Sequence, residues 1–288
     1  MESGGAAVSH ELLERLNRGL TKFGWELQKS TPGAATEQWE EGTVMKSELP
    51  SELVNTAALL QDHPNIDTEK FLTKCKRYFG KVPWKIITTQ GGDDLILSSA
   101  GKFGLIRSKG DPGMILNPIP TKIPTPPEKL TIKPVSNEKE LADFFEVMGV
   151  SFGIPTFALR ASYPKIPGDP ISLFLGYAEG VSVSCSVLVC LDGIGGIFTV
   201  GTRPEARRRG YGEALTWACV AESKKKGCEM NFLQASDMGA PIYEKMGFRQ
   251  VIMYSVWRKK ASIFNRLRAL IYWIRLSRKY RSKKSEAG

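Results

Sequence analysis

Histidine is nearly absent from this sequence, and its cysteines are not paired by spacing. The two histidines are His10 and His63, so neither a three-histidine metal site nor a histidine-driven triad can form in the second half of the chain. The five cysteines show no CxxC spacing, which argues against a zinc site and a disulfide framework. We therefore predict no metal site and a reducing, cytoplasmic environment.

The sequence also lacks a long apolar run. No stretch reaches the roughly 20 apolar residues of a membrane-spanning helix. Residues 1–30 contain acidic residues and no apolar stretch of the signal-peptide kind. We expect a cytoplasmic protein, with peripheral contact to a membrane as the alternative. An apolar content of 42% over 288 residues supports a sizeable core and allows two modest domains.

The net charge of +10 is confined to the end of the chain. Of the 40 basic and 30 acidic residues, 11 basic and one acidic lie in 258–288, which leaves 29 of each sign in 1–257. A globally basic surface for nucleic acid is thus not indicated, and nucleic acid is not expected as the main partner. Within 262–284, apolar residues recur on one helical stripe between basic ones, as in a basic amphipathic helix. This tail could dock on its own domain, lie on a membrane surface, or bind nucleic acid or an acidic partner.

Hydrophobic periodicity predicts the elements of the first half. Helices are expected at 10–29, 51–61, 67–79 and 93–100, strands at 84–89 and 103–107, and a loop at 30–50. Five prolines then fall within 117–127, which excludes both a helix and a central strand. We therefore divide the chain into an N-terminal α/β domain at 1–116, a proline-rich linker at 117–129, a second domain at 130–257 and the basic tail at 258–288.

The second half has the clearer pattern. Strands are predicted at 130–134, 171–177, 181–191, 196–201, 230–235 and 251–257, helices at 137–148, 211–226 and 240–246, and an irregular segment at 151–170. The dipeptide Asp192-Gly193 is typical of a tight hairpin. Three successive strands are therefore expected to pair antiparallel.

A glycine-rich turn links the strand that ends near Gly201 to the following helix. It reads Arg207-x-x-Gly210-x-Gly212, and the unpaired N–H groups at such a helix start, with its dipole, favour a diphosphate. Glycine at these positions lets the backbone approach phosphate without a Cβ in between. Taken alone, the motif fits equally well a plain tight turn with a solvated basic rim.

The motif gains meaning from a second one, Gly239-Ala-Pro-Ile-Tyr-Glu-Lys-Met-Gly-Phe248, about 30 residues later. In order and separation the two resemble the diagnostic motifs of the GNAT (GCN5-related) N-acetyltransferase superfamily, over about residues 130–257. The resemblance implies an α+β fold with a mixed, mostly antiparallel sheet flanked by helices, whose two middle strands splay apart at a bulge. The strand, helix and strand near 84–107 are similar to a degenerate GNAT half, which implies the two-domain type.

The resemblance also implies a site for acetyl-CoA. The backbone of Phe198, Val200 and Thr202 would hold pantetheine. The pyrophosphate would lie at Arg207, Arg208, Arg209, Gly210, Tyr211 and Gly212. Ser236 stands where many members have an asparagine that meets the cofactor, and Tyr243 matches the tyrosine that protonates the departing thiolate. Family geometry places the acceptor pocket at 151–170, with Phe152, Phe157 and Tyr163 as candidate lining.

The predicted activity is transfer of an acetyl group to a small-molecule or peptide amine by direct attack in a ternary complex. Many family members carry a glutamate near the bulged strand as a base, but Gly193–Gly201 contains no carboxylate, so attack assisted by water is the simplest interpretation. Two alternatives remain. The missing carboxylate favours a CoA-binding regulatory module without turnover, and the tail favours an acyltransferase that uses longer acyl thioesters at a membrane surface.

Overall fold

One continuous sheet includes every described strand of both halves in the computed structural model, which describes residues 9–60, 66–162, 166–259 and 271. Its described strands are β1 (Ala35–Gln38), β2 (Thr43–Lys46), β3 (Thr56–Leu59), β4 (Lys85–Thr88), β5 (Leu105–Leu116), β6 (Leu130–Pro134), β7 (Ile171–Ala178), β8 (Val181–Leu191), β9 (Ile194–Thr202), β10 (Met230–Gln234) and β11 (Arg249–Lys259). The described helices are α1 (His10–Gln28), α2 (Thr68–Phe79), α3 (Gln90–Ala100), α4 (Glu138–Phe152), α5 (Thr156–Ser162), α6 (Tyr211–Lys225) and α7 (Ala240–Lys245). The sheet is mixed and mostly antiparallel, as predicted.

The two halves of the chain exchange strands at the centre of the sheet. The strand order is β1-β2-β3-β4-β11-β5-β10-β9-β8-β7-β6. Each half contains a parallel pair, β3 with β4 and β9 with β10, joined through a helix. The last strand of each half lies beside the parallel pair of the other half, so β5 pairs with β10 and β11 pairs with β4. The two predicted domains thus share a single sheet. Their division at the linker 117–129 remains a prediction.

Helices cover both faces of this sheet. On one face, α1 and α4 pack against β8 and β9, with Phe23, Phe144 and Phe145 fully buried. On the other face, α6 covers β7–β9 and α2 and α3 cover the first half. Alternation along β3 shows the two sides, since Ala57 belongs to one core and Ala58 to the other.

Two predictions in the first half are wrong. The expected helix at 51–61 is a turn followed by β3, and the expected loop at 30–50 contains β1 and β2. β3 reads Thr-Ala-Ala-Leu and is buried on both faces, so it shows no alternation, while all four residues of β1 are exposed. Neither pattern has the period of two by which a half-buried strand is recognised.

Two further segments differ from expectation. β5 continues past Arg107 to Leu116, because pairing with β10 and β11 overrides the turn signal of Gly110-Asp-Pro-Gly113. The segment 151–170 includes the end of α4 and the short α5. The linker 117–129 contains neither helix nor strand.

The basic tail falls mostly beyond what the structure covers. Arg258 and Lys259 belong to β11, and the amphipathic stretch predicted at 262–284 lies outside the described residues apart from Ile271. Among the residues that are described, no helix is both long and apolar enough to cross a membrane.

Candidate functional site

The parallel strands β9 and β10 separate at their carboxyl ends. Their last paired residues are Ile197 and Leu233, yet β9 continues to Thr202 while remaining paired with β8 up to Ser184. Residues 198–202 therefore have a strand neighbour on one side and none from β10 on the other. The free edge of β9 offers backbone N–H and C=O groups to an extended ligand.

A bulge in β9 produces this separation. Val187 of β8 pairs with Phe198, but the next partners are Cys185 and Gly201, so β9 has one residue more than β8 in this interval. Thr199 lies in the bulge with a φ of +54°, a left-handed conformation that a β-branched residue rarely adopts. Bulges of this kind re-aim a strand and often lie beside functional sites. The bulge predicted for the middle strands is thus present, at Thr199.

The side chains around the bulge point to both faces. Phe198 packs edge-on against Phe23 of α1, with the ring centroids 5.6 Å apart. Val200 belongs to the core under α6. The unpaired edge of β9 therefore lies between side chains that pack on the α1 side and side chains that pack on the α6 side of the sheet.

The turn after β9 leads directly into α6. Arg208 and Gly210 both have positive φ, +61° and +76°, and Gly210 is the N-cap of α6 without a side-chain cap. The first N–H groups of α6 therefore have no intrahelical acceptor and no capping oxygen. Arg207, Arg208 and Arg209 are exposed around them, whereas the Tyr211 side chain is buried, so only its backbone is available.

The two glycines of this turn, Gly210 and Gly212, leave space in which a diphosphate could bind. A Cβ on Gly212 would lie 3.5 Å from the Thr202 Oγ1 and 3.8 Å from the Val200 Cγ1, in the space between α6 and the end of β9. A Cβ on Gly210 would meet only the Pro127 Cγ, at 3.7 Å. Glycine thus leaves a backbone-lined cradle in which diphosphate could approach the helix start. These residues fit a CoA pyrophosphate.

Tyr243 lies on α7, and its side chain extends to α6, the helix that begins at the glycine turn. Its ring packs near Phe248, with centroids 5.8 Å apart, and its hydroxyl hydrogen-bonds with Thr216 on α6. Burial raises the pKa of Tyr243 to about 12, against the smaller opposing effect of the bond to Thr216. The phenol is therefore protonated at neutral pH, as an acid must be. No sequence pattern indicates Thr216 as the partner of this hydroxyl.

Ser236 lies two residues beyond the end of β10. Its Oγ accepts a hydrogen bond from the Gly239 N–H at 3.2 Å, which caps the turn into α7. Its hydroxyl proton remains available for a further acceptor. Contact between Ser236 and a cofactor stays a prediction.

The carboxyl end of α4 lies over the bulged part of β9. A Cβ on Gly201 would lie 2.9 Å from the Ser151 Cβ and 3.0 Å from a Phe152 ring carbon. Phe152, one of the three residues expected to line an acceptor pocket, is therefore at the site and 47% exposed. Phe157 lies on α5, and Tyr163 is outside the described residues.

Comparison with known proteins gives a family match in the second half of the chain. A sequence model of the acetyltransferase (GNAT) domain matches residues 170–250, which contain the splayed strands, the glycine turn and α7. The chain thus contains a region, residues 170–250, that is similar to the GNAT acetyltransferase domain. No curated protein matches the sequence.

Solved structures show that the GNAT fold extends over most of the chain. The match to a GCN5-related N-acetyltransferase from Kribbella flavida has a TM-score of 0.66 and 13% identity, and it covers 90% of this chain and 98% of that one. One from Sphaerobacter thermophilus gives 0.57 and 16% identity, covering 86% and 89%. A tandem GNAT protein from the clavulanic acid biosynthesis pathway gives 0.52 and 12% identity, covering 81% and 85%. At such identities the likeness concerns the fold alone, and it agrees with a two-part architecture.

Proposed function

We propose that this protein is an acetyl-CoA-dependent N-acetyltransferase that transfers the acetyl group directly to an amine in a ternary complex. The observation that carries the proposal is the meeting of three features at one end of the sheet. β9 and β10 separate after Ile197, β9 bulges at Thr199, and the glycine turn at Gly210–Gly212 opens α6 beside them. An extended ligand with a diphosphate at one end would match this arrangement.

The end of β9 and the glycine turn would bind different parts of the cofactor. The β9 backbone from Phe198 to Thr202 would bind pantetheine as an added strand would, and the turn from Arg207 to Gly212 would bind the pyrophosphate. Acetyl-CoA supplies the activated acyl group when it is bound. Main-chain recognition explains why the side chains of Val200 and Tyr211 can serve the core instead.

Tyr243 is proposed to donate a proton to the leaving thiolate. Its pKa of about 12 keeps it protonated, and its hydroxyl is held against the helix that begins at the diphosphate turn. Packing against Phe248 fixes the ring. A role in packing and a role as an acid are therefore compatible in the same side chain.

The proposal is tested by binding and turnover measured separately. We expect acetyl-CoA to bind by calorimetry, and we expect thiol release with at least one member of a panel of amino acids, polyamines and lysine peptides. Absence of binding would refute the site. Binding without thiol release from any amine would instead favour the CoA-sensing alternative, which the lack of a carboxylate in Gly193–Gly201 supports.

Transfer of longer acyl groups at a membrane is a separate alternative. It depends on the basic stretch 262–284, and its support is the sequence pattern alone. If it holds, the full chain should co-sediment with anionic vesicles at low salt and should release thiol faster from a long-chain acyl-CoA than from acetyl-CoA. Full-length protein that ignores anionic vesicles would exclude it.

A further inference from the structure

Gly193–Gly201 contains no carboxylate, but the first half sends a strand to this end of the sheet. β5 pairs antiparallel with β10, and the last pair is Gln234 with Gly113. The Ala235 N–H then donates to the Pro112 carbonyl at 2.9 Å. Continuing the register sets Asp111 beside Ser236, where β9 and β10 have already separated.

A bulge in β5 shapes the backbone at Asp111. Lys109 pairs with Ser255 of β11 and Pro112 with Met253, so β5 has one residue more than β11 between them. Gly110 makes this possible, because a Cβ there would lie 2.0 Å from the Tyr254 carbonyl oxygen. Strand bulges commonly redirect a side chain next to an active site.

Asp111 faces the side of the sheet on which the acceptor would enter. A Cβ on Gly113 would touch the rings of Tyr254 and Phe232, which belong to the core beneath α1 and α4. Residues 110 and 111 of the bulge lie opposite Tyr254, a member of this core, so Asp111 belongs to the same side. Phe198 of the bulged β9 also points to this side, towards α1.

The surroundings of Asp111 favour a proton acceptor. Asp111 is exposed, yet desolvation by the surrounding protein raises its pKa, and the nearby Asp237 carboxylate adds to the effect. Lys85 of β4 and Lys109 of β5 act in the opposite direction, and Lys109 itself forms an ion pair with Asp237. A carboxylate with increased affinity for protons is suited to an amine, which at pH 7.4 is neutral in only about one molecule per thousand when its pKa is near 10.4.

We propose that Asp111, on the strand contributed by the first half, is the general base that deprotonates the acceptor amine. The inference rests on the proposed N-acetyltransferase function. The ammonium gives one proton to the Asp111 carboxylate, and the neutral nitrogen forms the C–N bond as the C–S bond breaks. Tyr243 protonates the thiolate and recovers the second proton lost by nitrogen, and Asp111 returns its proton to solvent.

The test compares Asp111→Asn with Asp111→Glu and with Asp94→Asn, an exposed aspartate of α3. Rates with acetyl-CoA and the best amine of the panel are measured from pH 6 to 9.5, together with acetyl-CoA affinity. Asp111→Asn should lower kcat/KM for the amine about 100-fold or more at pH 7, a typical loss for a general base. The difference in kcat/KM between Asp111→Asn and the wild type should become smaller as the pH approaches the pKa of the amine. The affinity for acetyl-CoA should not change. Asp111→Glu should recover part of the rate, and Asp94→Asn should match the wild type.

Asp111→Asn is expected to fold. The pKa of Asp111 is raised in the folded state, so above that pKa its ionisation opposes folding, and the amide removes this penalty. If Asp111→Asn nevertheless fails to fold, Asp237→Asn tests the role of Asp111 instead. Loss of the neighbouring negative charge should lower the pKa of Asp111, so the acid limb of the kcat/KM profile should shift to lower pH than in the wild type.

Three results would overturn the assignment. If Asp111→Asn keeps the wild-type kcat/KM and pH profile, the role of Asp111 is refuted and the proposed N-acetyltransferase function is not. The same holds if Asp237→Asn leaves the acid limb of the profile unchanged. Wild-type protein that acetylates no amine in the panel refutes the proposed function, and the assignment falls with it.

Discussion

Replacing Gly212 by alanine tests the diphosphate cradle with little disturbance of the fold. The new Cβ would lie 3.5 Å from the Thr202 Oγ1 and 3.8 Å from the Val200 Cγ1, which are ordinary van der Waals distances. Gly212 is in the first turn of α6, where alanine should stabilise the helix by about 0.5–1 kcal/mol. The free protein should therefore melt at the wild-type temperature or slightly above it.

The same methyl group occupies the space in which the diphosphate would approach the helix start. Hydrogen bonds to charged groups contribute about 1.5–3 kcal/mol each. Loss of one N–H contact at Gly212 should weaken acetyl-CoA binding by about 1.5–3 kcal/mol, or about 10- to 150-fold in Kd. Calorimetry on the purified variant measures this directly.

Gly101→Ala is the matched control. Gly101 has helical φ and ψ, −61° and −41°, and a Cβ there would meet no atom within 4 Å. Gly210→Ala is a poorer test, because a φ of +76° strains any side chain and would confuse binding with stability. If Gly212→Ala binds acetyl-CoA with wild-type affinity while Gly101→Ala also does, the diphosphate does not lie at this turn.

Three further predictions concern single side chains. Tyr243→Phe should lower kcat at least tenfold with little change in acetyl-CoA affinity, since the hydroxyl acts only as the thiolate leaves; wild-type kcat from pH 6 to 9 would leave Tyr243 a packing role. Asp93→Asn should lower the free energy of unfolding by about 2–4 kcal/mol in urea melts at pH 7. Burial opposes ionisation of Asp93, but hydrogen bonds led by Ser255 lower its pKa, so this difference should shrink as the pH falls through the folded pKa, and a constant difference would contradict the reasoning. Cys228 should be alkylated by iodoacetamide before the buried Cys185, because its hydrogen bond with the Cys190 thiol lowers the pKa of Cys228; mass spectrometry of the labelled peptides gives the order.

The second half can be predicted because its strands follow local rules. β8 and β9 are joined at Asp192-Gly193, and the turn into α6 contains glycine where the backbone has positive φ, at Gly210. These signals are local in sequence, and the recognition of cofactor by main chain depends on the same local geometry. The cradle at Gly212 is therefore predictable from its sequence motif.

Asp111 is not predictable in this way. Gly110-Asp-Pro-Gly113 reads as a turn, and the pattern predicts a strand that ends before it, at Arg107. Only the long-range pairing of β5 with β10 and β11 makes it part of a central strand, with Pro112 directly after the bulge. A charged residue within a turn signal gives no indication that it lies beside a strand more than 100 residues away.

The strand exchange explains how the first half, which has no glycine turn of its own, can still be required for the structure of the second half. β5 covers the edge of β10, and β11 returns to β4, where Asp93 accepts hydrogen bonds from the Ser255 hydroxyl at 2.6 Å and the Trp257 indole at 2.8 Å. Removing the first half would expose one edge of β10 and leave β11 without either neighbour, and unpaired edges favour aggregation. The same strand that closes the sheet carries Asp111 to the end of β10. Structural support of the second half and supply of the proposed base are thus two consequences of one pairing, since any change that separates β5 from β10 must affect both.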